Sequence, residues 1–259
     1  MDDAARHAIA DALGDVSRRT VIEIGPGKGA ITEILAGRCE HLIALELDRE
    51  LAPALAKRFA DRPNVQIIEA DVLETDLGEL APPNRTADVI GNLPYYITSD
   101  ILLQLFAAGN AGRLSRAVVM MQREVAERVA AQPGVREYGL LSATAQMSAR
   151  VETLFTLSPG AFSPPPEVYS TVLRLEFAPR FKELAVDAEG FGGFLKLIFA
   201  QKRKTLSNNL RAAGYDPASL ASAWPAGIPQ QARAESLALE QMAEFYRSLR
   251  AVGATPHRA

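Results

Sequence analysis

The hydrophobic and polar positions of this chain follow two rhythms, and the change between them falls about two-thirds of the way along. Over the first 175 or so residues, short β-type apolar runs at 21–25, 42–46, 65–68, 87–91 and 117–121 predict strands. The stretches between them carry helical patterns at 31–36, 49–59, 99–106, 123–131 and 138–149, after an opening helix over 5–13. Strands alternating with helices predict a parallel sheet wrapped by helices. Two later β-type runs, 151–157 and 170–177, bracket Ser163-Pro164-Pro165-Pro166. Prolines have no N–H to donate to a ladder, so this pair reads as two strands joined by a stiff loop. From about Lys182 the pattern is helical only. Phe191, Phe194, Leu195, Ile198, Leu206 and Leu210 predict a helix over 191–211, and a closing helix spans 237–249. With the boundary near Ala178-Pro179-Arg180, the chain divides into an α/β domain over 1–179 and a small all-helical domain over 180–259.

Composition adds bounds. At 259 residues, 48% hydrophobic and 23% charged, the chain has the make-up of an ordinary globular protein with room for one large and one small domain. Cys39 is the sole cysteine, which excludes an intramolecular disulfide framework. No apolar run reaches the roughly 20 residues needed to cross a membrane. The acidic start, Met1-Asp2-Asp3, is unlike a secretory or mitochondrial leader, so a cytoplasmic protein without a membrane partner is expected. No heptad pattern or apolar stripe demands a second copy, and a monomer is expected. Net charge is −3, yet residues 180–259 carry 11 Lys and Arg against 7 Asp and Glu, leaving the first 179 residues at −7. That asymmetry is compatible with a basic C-terminal part facing phosphates.

The chemistry-bearing residues follow the strands. Val21-Ile22-Glu23-Ile24 runs into Gly25-Pro26-Gly27-Lys28-Gly29, a tight strand-to-helix turn in which glycines let a ligand approach the backbone. Gly25, Gly27 and Ala30 fit a Gly-x-Gly-x-x-Gly/Ala nucleotide fingerprint, which alone does not tell a dinucleotide from S-adenosylmethionine. Glu46 ends the next strand, 21 residues after Gly25, where a carboxylate can accept from both ribose hydroxyls; Asp48 close by makes the assignment less unique. Asp71 follows the third strand and can hold the exocyclic amine of an adenine, while the amide of Val72 meets the ring. Three such features at three successive strand ends point to one crevice and a nucleoside-containing cofactor.

The fourth strand end carries Asn92-Leu93-Pro94-Tyr95. The Asn92 amide oxygen and a backbone carbonyl near Leu93 can accept the two protons of an amino group on a planar ring. Pro94 stiffens the turn, and Tyr95 can stack on the ring face. The alternative is an ordinary turn of favoured turn formers with Tyr95 in the core. The three histidines, His7, His41 and His257, show no ligand spacing, and no metal is expected.

Taken with Leu45-Glu46-Leu47-Asp48, Met121-Gln122-Arg123-Glu124-Val125-Ala126-Glu127-Arg128, Tyr138-Gly139-Leu140-Leu141-Ser142, Phe162-Ser163-Pro164-Pro165-Pro166-Glu167-Val168 and Gln201-Lys202-Arg203-Lys204-Thr205-Leu206, these motifs resemble the ribosomal RNA adenine dimethylase family of class I S-adenosylmethionine-dependent methyltransferases. The resemblance runs from Val21 to Leu249 and is nearer to small-subunit members than to those acting on the large subunit. It implies a Rossmann-like class I methyltransferase sheet with a small helical C-terminal domain. It also implies S-adenosylmethionine as cofactor and dimethylation of two adjacent adenosines near the 3′ end of small-subunit rRNA. Phe162 joins Tyr95 as a candidate to sandwich an extruded adenine, ordinary core packing being the other reading. Lys196, Arg203, Lys204 and Arg211 fall on one side of the 191–211 helix with Lys202 nearby. As a bare pattern this is equally a phosphate-contacting ridge or a solvated face; the resemblance favours rRNA within an immature small ribosomal subunit.

Two other readings stand beside this one. A small-subunit assembly factor that binds without methylating is one; a dinucleotide-dependent oxidoreductase is the other, and it leaves Asn92-Leu93-Pro94-Tyr95 unexplained. Family members carry a basic N-terminal arm with a Gly-Gln-Asn-Phe-Leu-like motif that reaches the methionine end of the cofactor. This chain passes from Met1-Asp2-Asp3-Ala4 directly into its first helix, so those contacts are not carried over. Weaker cofactor binding is expected. A calorimetric affinity equal to that of an arm-bearing relative would contradict it.

Overall fold

The structure, a computed structural model, describes residues 2–256. Seven strands form one sheet: β1 (Thr20–Ile24), β2 (His41–Glu46), β3 (Val65–Glu69), β4 (Ala87–Asn92), β5 (Leu114–Gln122), β6 (Ala149–Leu157) and β7 (Ser170–Phe177). Their order across the sheet is β3-β2-β1-β4-β5-β7-β6. The pairings of β1 with β2 and β4, of β2 with β3 and of β4 with β5 are parallel, whereas β7 runs antiparallel to both β5 and β6. β6 and β7 are the two strands expected around the proline-rich loop.

Central strands are buried on both faces, which is why they read as continuous apolar runs rather than alternating ones. All five residues of β1 are buried, as are the first five of β4, while the edge strands β3 and β6 reach solvent. The helix expected over 49–59 runs Leu51–Arg58 and the one expected over 99–106 runs Thr98–Asn110. The chain forms two compact units. One comprises the residues up to Ala126 with Ser148–Ala178; the other comprises Glu127–Met147 with the chain from Pro179 onward.

The second unit is helical around an apolar core that includes Phe191, Phe194, Leu206, Leu210 and Phe245. Here one expectation is corrected: 191–211 is two helices, Ala188–Ile198 and Leu206–Ala212. Asn209 causes the break. Its buried side-chain amide donates to the carbonyls of Ile198 (2.8 Å) and Gln201 (3.2 Å), closing the first helix. Thr205 then accepts from the Asn208 N–H to start the second. The apolar residues bury as expected on both pieces, but the basic residues do not share one helical ridge.

Asp88, in β4, is fully buried. Arg19 grips it with Nε at 3.1 Å and Nη2 at 2.9 Å, the Ser115 hydroxyl donates to it, and Arg116 Nε lies at 3.6 Å. Removing one partner of a buried pair costs about 3–5 kcal/mol, and both arginines keep some solvent here. Asp88→Ala should therefore destabilise the first unit by about 3 kcal/mol, at the low end of that range, and Asp88→Asn by less, read as shifts in urea midpoint.

Candidate active site

The carboxyl ends of β1, β2, β3 and β4 meet at a cleft of ≈ 350 Å³. It is lined by Gly25 after β1, Glu46 at the end of β2, Asp71 and Val72 after β3, and Pro94 and Tyr96 after β4. The glycine turn is built on positive φ values, +66° at Gly25 and +58° at Gly27, which a side chain would strain. At Gly29 an added Cβ would stand 2.8 Å from Leu55 Cδ2.

Glu46 ties this turn to the exit of β2. Its Oε2 accepts from the Gly27 N–H (2.9 Å) and its Oε1 from the Asp48 N–H (3.0 Å). Asp48 lines the same cleft. Asp48 Oδ1 accepts from the N–H groups of Glu50 (2.8 Å) and Leu51 (3.0 Å) at the start of the next helix, and those bonds hold its pKa below the usual carboxylate value. Asp71 Oδ1 accepts from the Leu73 N–H (2.8 Å).

The 92–95 turn adjoins the cleft and is fixed from both sides. Leu93 is buried and its N–H donates to the Met120 carbonyl (2.9 Å). The Pro94 carbonyl accepts from the Thr98 hydroxyl (2.8 Å), and the Tyr95 hydroxyl lies 3.1 Å from Ser170 Oγ. Asn92 and Tyr95 are left at the surface. Phe162 does not line the cleft; half-buried in the loop between β6 and β7, it packs against the apolar cluster that contains Ile9 and Val172. In the second unit, Lys202, Arg203 and Lys204 stand on an exposed turn beside a depression of ≈ 320 Å³, with Lys196 and Arg211 exposed on the flanking helices. Among the described residues no group of three His, Cys, Asp or Glu side chains is placed to hold a metal ion, and no helix is long and apolar enough to cross a membrane. His257 lies outside the described residues.

Two residues went unnoticed in the sequence. Tyr96, 79% exposed, lines the cleft but differs from Tyr95 by no sequence signal. Glu23 carries one: a carboxylate inside the apolar run of β1. It is 2% exposed, and Oε2 has no hydrogen-bond partner.

Sheet order, glycine turn and the acid ending β2 together define a class I methyltransferase fold. The same fold is found in a dimethyladenosine transferase from Plasmodium falciparum (TM-score 0.79, 22% identity, 96% of both chains covered) and in the 23S rRNA methyltransferase ErmE (TM-score 0.70, 23% identity, 96% of this chain and 98% of that one). Residues 4–251 match the family model for ribosomal RNA adenine dimethylase. A protein named ribosomal RNA small subunit methyltransferase A from Acidobacterium capsulatum is 60% identical over 250 residues, covering 96% of this chain and 88% of its own. Its namesake from Koribacter versatilis is 53% identical over 255 residues, covering 93% and 88%. The chain belongs to the ribosomal RNA adenine dimethylase family. The oxidoreductase reading is left without support.

Burial raises the Glu23 pKa from 4.5 to about 7; the side chain and N–H of Thr32 pull it down without forming a well-shaped bond to Oε2, and the nearby Glu46 carboxylate adds to the rise. The folded protein thus keeps a proton that the unfolded chain releases. Stability from this group is complete below pH 4.5 and is lost as pH climbs through about 7. The loss is on the order of 3 kcal/mol. Glu23→Gln has no such titration, so its stability relative to wild type should improve between pH 5 and pH 8. Denaturant unfolding across that range checks this, and a difference independent of pH would contradict it.

Proposed function

We propose that this protein uses S-adenosylmethionine to dimethylate the exocyclic amino groups of two adjacent adenosines near the 3′ end of small-subunit rRNA. The observation that carries the reading is the 92–95 turn, pinned through Leu93 and Pro94 beside a nucleoside-sized cleft while Asn92 and Tyr95 stay at the surface. The names of the relatives at 60% and 53% identity support the small subunit as the place of action.

The cleft residues fit the cofactor. Each Glu46 oxygen takes one backbone N–H and retains a lone pair, so the carboxylate can still accept from two vicinal ribose hydroxyls. Asp71 is assigned the adenine amine and Val72 the ring edge, with Gly25 and Gly27 allowing close approach. When bound, the cofactor supplies a methyl group activated by a positively charged sulfur. The protein's part is then orientation and electrostatics. The amino nitrogen of adenosine is a poor nucleophile because its lone pair is delocalised into the ring. Asn92 and a carbonyl near Leu93 accept hydrogen bonds from its two N–H groups, favour a pyramidal nitrogen and aim it. Tyr95 stacks on one face of the extruded base, and Phe162 is assigned the other.

In this reading residues 1–179 form the catalytic domain and residues 180–259 the RNA-contacting one. Lys196, Lys202, Arg203, Lys204 and Arg211 neutralise phosphates, so affinity falls with salt. The substrate is rRNA within an immature small subunit, and the protein works as a monomer in the cytoplasm.

The test is methyl transfer from labelled S-adenosylmethionine to small subunits lacking the modification, read by nucleoside mass spectrometry. Wild-type protein should yield dimethyladenosine. Asn92→Ala should lose about 100-fold or more in rate while retaining subunit binding, since misplacing a reacting group by about 1 Å is enough for such a loss. Subunit binding by wild type without product would favour the assembly-factor reading instead.

A further inference from the structure

Among the exposed large apolar side chains, Tyr95 (37%), Tyr96 (79%), Val168 (38%) and Tyr169 (47%) belong to two short segments, the exit of β4 and the entry to β7. Hydrogen bonds join these segments across the end of β5. Leu93 N–H reaches Met120 in β5, Gln122 pairs with Ser170, the Tyr95 hydroxyl meets Ser170 Oγ at 3.1 Å, and the Arg123 N–H donates to the Tyr169 carbonyl at 3.0 Å. Arg123 then folds its guanidinium over the Tyr169 ring, 5.2 Å from the centroid. Beside the turn assigned to the target adenine there is therefore a second aromatic station, held against a cation.

Exposed aromatic rings next to an arginine are the usual surface for unpaired bases. Every base has a π-face, and a guanidinium both stacks and offers charge to phosphate. Extruding one adenosine unstacks its neighbour, which then needs a new surface. This step rests on the methyltransferase reading above. We propose that Tyr169, with Arg123 stacked on it, binds the nucleotide adjoining the extruded adenosine: Tyr169 stacks its base, and Arg123 places positive charge beside the intervening phosphate. Tyr169 is thus a substrate-positioning residue outside the chemistry, and its loss should act on RNA binding rather than on turnover.

The experiment uses the full chain and unmodified small subunits. Tyr169→Leu keeps apolar bulk but removes the ring; it should raise KM for subunits about tenfold, with kcat, cofactor affinity by calorimetry and melting temperature near wild type. Tyr169→Phe, which keeps the ring, should restore tight binding. Arg123→Gln should weaken binding and flatten its dependence on salt. If Tyr169→Leu fails to fold, Tyr169→Gln, suited to an exposed site, takes its place in the same comparison. An unchanged KM in the ring-less variant would overturn the proposal, and so would a Phe variant as weak as the Leu variant, because the hydroxyl would then be what matters. Wild-type protein that transfers no methyl group would sink the parent reading first, and the stacking site with it.

Discussion

Everything at the cleft depends on a constraint of the sheet: β1 has both edges occupied by strands running its own way, β2 on one side and β4 on the other. Chain order reverses at that point, so the segments leaving the two strands part and leave a crevice at their carboxyl ends. The crevice is lined there by the glycine turn, the carboxylates Glu46, Asp48 and Asp71, and the turn after β4. The long apolar runs of β1 and β4 hold the crevice in place because they are buried on both faces.

Glu46 makes that crevice preorganised. A carboxylate bridging two backbone amides, one from the glycine turn and one from its own strand exit, fixes the turn before any ligand arrives. Less conformational freedom is then left to lose on binding. Glu23, one strand over, stands in contrast: its carboxyl is buried with an unpartnered oxygen, and neighbouring negative charge makes ionisation harder still. Both acids are buried, but Glu46 accepts from two backbone N–H groups whereas Glu23 Oε2 accepts from none.

Most of the fold was legible because its signals are local. Buried parallel strands, the proline-rich loop and the glycine turn each leave a mark within a few residues, and the strand from 170 to 177 was placed at both ends. Legibility failed where a distant residue decides. The break in the 191–211 helix hangs on the Asn209 side chain reaching back to Ile198 and Gln201, and the apolar period runs straight through it. Spacing does not reveal that Glu46 accepts from the amides of Gly27 and Asp48 while Asp48 accepts from those of Glu50 and Leu51. The pairing of Arg123 with Tyr169 joins residues 46 positions apart, which only the β5–β7 ladder brings together.

The cluster of Arg19, Asp88, Ser115 and Arg116 has a further meaning. Asp88 and Asn92 share one strand, four residues apart, or roughly 13 Å at about 3.3 Å per residue. The strand thus carries a buried ion-pair cluster near one end and the turn assigned to the target base at the other, with buried Val89, Ile90 and Gly91 between them. A change in the strength of that cluster can then alter how long the fold persists without touching the segment assigned to the target base.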